Sequence, residues 1–352
     1  MGMHPKIHLL DKYKIFYELL FNDNNESIDL LIKMDLISYD QKLKWSVYLN
    51  DIQSSINLKS NLKDYFYLKL HSDIEKNSYL SSKKALGIVK NLYNCADGFQ
   101  INIRNNDRLK NCTIIDYGSG IFRTLNHAII LYCNGFGKVF AYEPYPLQTD
   151  FVIRSIYQLF EMMLTNPSDF IFTDIDVNEF IARLKLLLST NYFKIFNDFQ
   201  LNSNELINVN NVIFLTSNLK FIDDHIIDFH FSNAVLEHIN DIEDDLTSLQ
   251  RILKTDSIGF HIVDFLDHRY YYNNSLNPME KYYDDVLFEI NGFTPSEMEL
   301  KINSSGFKYQ KIQALKIPNK YLIDEARPIL FKYSSFGISE LTEHVNWYLL
   351  RI

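Results

Sequence analysis

From Cys112 onward, short apolar runs alternate with stretches whose apolar residues recur at three- and four-residue spacing. The runs predict strands at 113–117, 138–142, 212–215, 228–232 and 259–263. The longer stretches predict helices at 123–134, 151–164, 177–188 and 242–253. The tail adds a strand at 309–315, a helical segment at 339–343 and a last strand at 346–351. Strands that alternate with helices build parallel βαβ units, because a parallel pair needs a crossover and helices are the usual crossover. The expected fold is α/β: a Rossmann-like, seven-stranded, mostly parallel sheet with helices on both faces.

Upstream of that domain the pattern is helical. Apolar residues cluster at Tyr13, Phe16, Leu19 and Leu20, then at Leu30, Leu31 and Met34, then at Ile88, Val89 and Leu92. No glycine occurs between Gly2 and Gly87, which argues for few tight turns. Ser81 and Ser82 stand where a helix cap is expected. The division read from this is a helical N-terminal region at 1–110 and a main domain at 111–352 carrying a helical insert at 144–211. The N-terminal helices and the insert would serve as lid and specificity elements, or as a homodimer interface.

Composition narrows the partners. Of 352 residues, 47% are hydrophobic and 22% charged, ordinary values for a globular protein. The net charge of −9 argues against nucleic acid, whose binding rests on Lys and Arg neutralising phosphates. No run reaches the roughly 18 apolar residues of a membrane span, and the amino-terminal residues do not read as a signal peptide. The three cysteines, Cys95, Cys112 and Cys133, form no C-x-x-C pair, which suits a reducing cytoplasm.

Chemistry begins at Ile114-Ile115-Asp116-Tyr117-Gly118-Ser119-Gly120. An apolar run ends in an acid and two glycines, then helical character follows. This is the strand–turn–helix at which α/β proteins hold nucleotide-like ligands, and glycine lets the backbone bend and approach closely. One βα unit later, Val139-Phe140-Ala141-Tyr142-Glu143 ends a strand in a carboxylate placed to accept both hydroxyls of a ribose. The alternative for Glu143 is a helix cap before Pro144.

The third element is Asp228-Phe229-His230-Phe231-Ser232-Asn233-Ala234-Val235-Leu236-Glu237-His238, followed by Arg251-Ile252-Leu253-Lys254 and the strand from Gly259 to Val263. This order resembles the class I S-adenosylmethionine (SAM)-dependent methyltransferases, in the branch whose fourth strand leads into Leu-Glu-His, and the following Asp264-Phe265-Leu266-Asp267-His268 resembles segments of their polysaccharide-cluster sugar methyltransferases. The resemblance covers about residues 112–265. It implies SAM as cofactor. It further implies that Asp116, Tyr117, Gly118, Ser119 and Gly120 line the methionine and ribose, and that Glu143 holds the ribose hydroxyls. Ser217 or Asn218 would meet the adenine edge, and Ser232 and Asn233 would lie near the sulfonium.

Two positions depart from the family pattern. Phe122 replaces a frequent third glycine, and Asp256-Ser257 replaces a Gly-Gly turn. A dinucleotide-binding dehydrogenase would share the glycine turn and the acid, but it needs Gly-x-Gly-x-x-Gly and here Arg123 stands at the last position.

For the methyl acceptor, the segment Asp264-Phe265-Leu266-Asp267-His268 follows the strand at 259–263, at the end where such sheets keep their sites. An imidazole beside carboxylates suits removal of a hydroxyl proton. His268 is therefore the expected general base, with Asp264 or Asp267 orienting it. His238 is the second candidate, with a structural role as its alternative. Asp264, Asp267 and His268 as a metal set are too generic at this spacing, and no metal is expected. Tyr270, Tyr271 and Tyr272 would stack on a sugar or pack. The acceptor expected is a small molecule or carbohydrate, methylated on oxygen. N- or C-methylation, and a non-catalytic SAM-binding protein, are the alternatives.

Overall fold

The computed structural model describes residues 75–352, apart from 122, 146, 148, 202–205, 217–218, 273–276, 284–286, 288–289 and 319–328. The expected helices of residues 1–74 lie outside the described residues.

The first described helix, α1, runs Glu75–Gly98. Ser81 and Ser82, expected to cap a helix, lie inside it, and the Ser82 hydroxyl donates to the Ser155 carbonyl at 2.8 Å. The chain continues through β1 (Thr113–Tyr117), α2 (Asn126–Cys133), β2 (Lys138–Tyr142), α3 (Thr149–Thr165), α4 (Val177–Leu188), α5 (Tyr192–Leu201), β3 (Leu206–Val209) and β4 (Val212–Leu215). Then follow β5 (Ile227–Asn233), α6 (Ile242–Ile252), β6 (Leu253–Asp264), α7 (Pro295–Ser304), β7 (Lys308–Lys316) and β8 (Glu343–Arg351).

The fold is α/β, with a mixed sheet of eight strands rather than seven, hydrogen-bonded in the order β3-β4-β2-β1-β5-β6-β8-β7. The extra strand is β3, which pairs antiparallel with β4 and whose alternating exposure marks a half-covered strand at the sheet edge. The element not anticipated in the tail is α7. Its start was written in the sequence: Thr294 and Glu297 form a reciprocal capping box around Pro295. Asp256 and Ser257, read as a turn, lie within β6.

The chain divides into two compact units, one of 1–89, 104–110 and 119–216, the other of 90–103, 111–118 and 217–352. In the first, β2 and β4 pair in parallel, and α2 is buried along its whole length, which leaves no polar face to read from the sequence. Tyr157, Phe160 and Tyr192 pack there with ring centroids about 6 Å apart. In the second, β1 pairs with β5 and β5 with β6 in parallel, while β8 runs antiparallel to both β6 and β7. Parallel pairing brings the carboxyl ends of β1, β5 and β6 to the same end of the unit. All three cysteines are buried free thiols. No helix of the described residues is long and apolar enough to cross a membrane.

Candidate functional site

At the end of β1, Asp116 and Tyr117 are buried, and the Tyr117 hydroxyl bonds to Asp245 on α6, which points that residue into the unit. Gly118 follows at φ +79°, a conformation that favours glycine. A Cβ there would lie 2.5 Å from Val235 Cγ2, so the turn after β1 packs directly on the segment after β5.

The turn continues into the first unit. Ser119 N–H donates to the Tyr142 carbonyl at 3.0 Å. Gly120, at φ +86°, donates its N–H to Glu143 Oε2 at 2.7 Å. The other Glu143 oxygen accepts from Tyr145 N–H at 3.2 Å. Glu143 is 4% exposed, so both carboxylate oxygens are oriented by backbone donors in a largely dry setting. The Ser119 hydroxyl is buried and has no hydrogen-bond partner among the described residues. Ser217 and Asn218 lie outside the described residues.

In the second unit, the end of β5 carries Ser232 and Asn233. Ser232 Oγ stands 2.7 Å from His261 Nδ1, and His261 Nε2 stands 2.9 Å from His230 Nδ1. This hydrogen-bonded row follows from register, since His261 on β6 is the partner of Ser232 on β5 and His230 lies two residues back on the same face. Both rings are fully buried, and burial disfavours the cation: His230 is pushed well below the usual histidine range and His261 down to about 3. Asn233 Oδ1 accepts from Asn91 at 3.4 Å.

Beyond Ala234, itself at φ +54°, residues Leu236–His238 form a single 3-10 turn. Asn291 fixes it: its side-chain amide donates to the carbonyls of Leu236 and Ile239, each at 2.9 Å, and its own N–H to that of Glu237 at 2.6 Å. Glu237 Oε1 accepts from Asp264 N–H at 3.2 Å, while Oε2 is buried without a hydrogen-bond partner among the described residues. Burial, then the Asp264 charge, pushes the Glu237 carboxyl well above the usual range.

The segment after β6 holds the expected catalytic set, in a different arrangement from the one read in sequence. Asp267 grips Arg269, whose guanidinium reaches both its oxygens at 2.6–3.1 Å. Asp264 accepts from Leu266 N–H at 2.9 Å and from the Tyr271 hydroxyl, with His344 Nε2 at 3.5 Å. His268 stacks edge-on with His238 at a centroid distance of 4.9 Å, and with Tyr271 at 5.5 Å. The structure therefore brings His238 and His268 together. It commits both aspartates to other partners.

Sequence reasoning did not single out Glu237 or Lys281 as functional groups. Lys281 is 2% exposed, and burial lowers its pKa to about 8 against the opposing pull of Asp264, Asp267 and Glu237. Glu237 sat in the Leu-Glu-His run but was read only as a family mark. Nothing local to Lys281 announces its burial. An open depression of about 380 Å³ lies elsewhere, lined by His225, Arg251, Leu253 and Thr255 at the amino ends of β5 and β6. Ligands of α/β sheets sit at the carboxyl ends.

No family model matches the chain, and no curated protein matches it. Among solved structures, it is similar to the methyltransferase solved with the Haloferax volcanii Trm112 methyltransferase activator, at 11% identity over 79% of this chain and 91% of that one, with a TM-score of 0.37. A SAM-dependent methyltransferase of Thermotoga maritima matches at 15% identity over 79% of this chain and 90% of that one, TM-score 0.35. One from Aquifex aeolicus matches at 12% over 71% and 85%, TM-score 0.33. Likeness at this level decides neither activity nor substrate.

Proposed function

We propose that this chain is a SAM-dependent methyltransferase that methylates a hydroxyl of a sugar or sugar nucleotide, as in surface polysaccharide synthesis. The observation that carries the cofactor reading is the Gly120–Glu143 pair. A buried carboxylate at the end of β2 whose two oxygens each accept a backbone N–H is held where an acid accepts the hydroxyls of a ribose. The unpartnered Ser119 hydroxyl beside it supports a polar ligand at the same turn.

Methyl transfer from a sulfonium asks little of the protein beyond aligning oxygen, methyl and sulfur and removing a proton. His268, buried beside His238 and Tyr271, is the base assigned to the acceptor hydroxyl. Asp264 then acts through Tyr271 rather than through His268. The acidic balance of the chain supports a small or carbohydrate acceptor over a polyanion.

Thermal-shift titration with SAM and S-adenosylhomocysteine tests the cofactor. Saturation at about 100 times Kd should stabilise the protein by about 2.7 kcal/mol. No shift at millimolar ligand, with NAD stabilising instead, overturns the reading. A panel of nucleotide sugars with methyl-labelled SAM then tests the acceptor. Label on an amine or carbon acceptor alone would replace O-methylation.

A further inference from the structure

We propose that Glu237, His238 and His268 form a site for one divalent transition-metal ion, zinc being the ion that best fits the donors. Each residue offers one ligand atom, and the three atoms lie within 4.8 Å of one another. Two ligands bound at about 2.1 Å can be no more than about 4.2 Å apart, so small side-chain rotations close the set. Two imidazoles and a carboxylate are borderline donors that suit zinc and its neighbours, whereas magnesium and calcium prefer oxygen shells.

A second observation points the same way. Glu237 has one oxygen held by Asp264 N–H and the other buried with no hydrogen-bond partner among the described residues. An unmet buried acceptor of this kind is destabilising by a few kcal/mol, at the upper end when it is charged; a bound cation removes that cost. The surroundings are arranged for it. Asn291 holds the Leu236–His238 turn through three hydrogen bonds, and the neighbouring N–H of Asp264 orients the carboxylate as outer partners of metal ligands do.

The acids beside the site do not compete as ligands. Asp267 is taken by Arg269, and Asp264 by Leu266 N–H and Tyr271. Lys281 is the local cation, interacting with Glu237, Asp264 and Asp267. With Arg269 matched to Asp267, the formal charge of the cluster still favours a cation.

Three protein donors leave a coordination position open. Only the identity of the ligand there rests on the methyl-transfer reading: under it, the acceptor hydroxyl takes that position. The ion lowers the pKa of the oxygen it holds. His268 then serves as a ligand rather than as the base, and the acidified hydroxyl releases its proton to solvent water before its oxygen takes the methyl group from sulfur.

The test is cobalt titration of the untagged full-length protein after chelator treatment. A visible d–d absorption should saturate at one ion per chain and be displaced by zinc. Glu237→Gln, which keeps the side-chain shape, and His268→Ala should each weaken binding at least tenfold, while His225→Asn, at the amino end of β5, should not. Circular dichroism of the variants reports folding. If wild type shows no saturable band, or Glu237→Gln and His268→Ala saturate as wild type does, the site is overturned. The readout needs neither SAM nor acceptor. A protein that shifts with SAM but takes up no cobalt loses only the metal site, and one that takes up cobalt but ignores SAM loses only the methyl-transfer reading.

Discussion

Gly118 and Val235 approach so closely that a Cβ on Gly118 would stand 2.5 Å from one Val235 methyl and 2.6 Å from the other. The glycine turn after β1 and the Leu-Glu-His approach after β5 are thus one packed structure.

Gly118→Ala meets two separate penalties, the φ of +79° and the overlap with Val235. We expect a loss of more than about 2 kcal/mol in urea unfolding. Val235→Ala relieves the overlap and leaves the dihedral cost, so the double variant should be more stable than the sum of the singles predicts. Strict additivity would mean that the contact is not what excludes a side chain at Gly118.

Glu143→Ala removes the acceptor of two backbone N–H groups. It should cost about 1–3 kcal/mol of stability and reduce the SAM-dependent thermal shift at a fixed ligand concentration. Glu143→Gln keeps one oxygen and should fall between. A shift equal to wild type in Glu143→Ala would remove the ribose role.

His268→Ala should leave the SAM shift intact and lower methyl transfer by about 10²–10⁴-fold, the usual worth of acid–base assistance. The measurement is label transferred from SAM to a sugar acceptor. Unchanged turnover would remove His268 from the reaction as base and as ligand alike.

Stability should fall on mild acidification through His230 and His261. Both are held neutral by burial, His261 down to about pH 3. Below about pH 6.5, and for His261 down to about pH 3, the unfolded chain binds a proton at each ring that the folded chain refuses. Stability therefore drops as pH falls through that window, by up to about 1.4 kcal/mol per pH unit for each ring. Urea unfolding of wild type and His261→Asn at pH 7, 6 and 5 checks this. The variant should show the shallower slope, and parallel curves would exclude the pair as the cause.

Much of the framework was legible from periodicity. The bounds of β1, β2, β4 and α4 agree with the pattern, because each is an apolar run or stripe flanked by turn-forming residues. β3 was missed because its four residues sit beside β4 across only Asn210 and Asn211, both with positive φ, and the short hairpin blends into its neighbour. α7 was missed although its capping box was present, since its apolar stripe is weak and only Pro295, Met298 and Ile302 are buried.

By itself, the sequence determined the alternation of strands and helices, the turn at Gly118 and Gly120, and the acid at the end of β2. These depend on local geometry and on residue order along one βα unit. Partnership among the chemical groups was decided by tertiary structure. Asp264, Asp267 and His268 are neighbours in the chain, yet Arg269 and Tyr271 claim the two aspartates. Thirty residues of chain separate His238 from His268, and their rings meet at 4.9 Å because β5 and β6 run parallel and end together. The same pairing leaves Glu237 buried with one oxygen unmet. Side-chain partners depend on which strand ends the sheet brings side by side, and chain spacing does not carry that information.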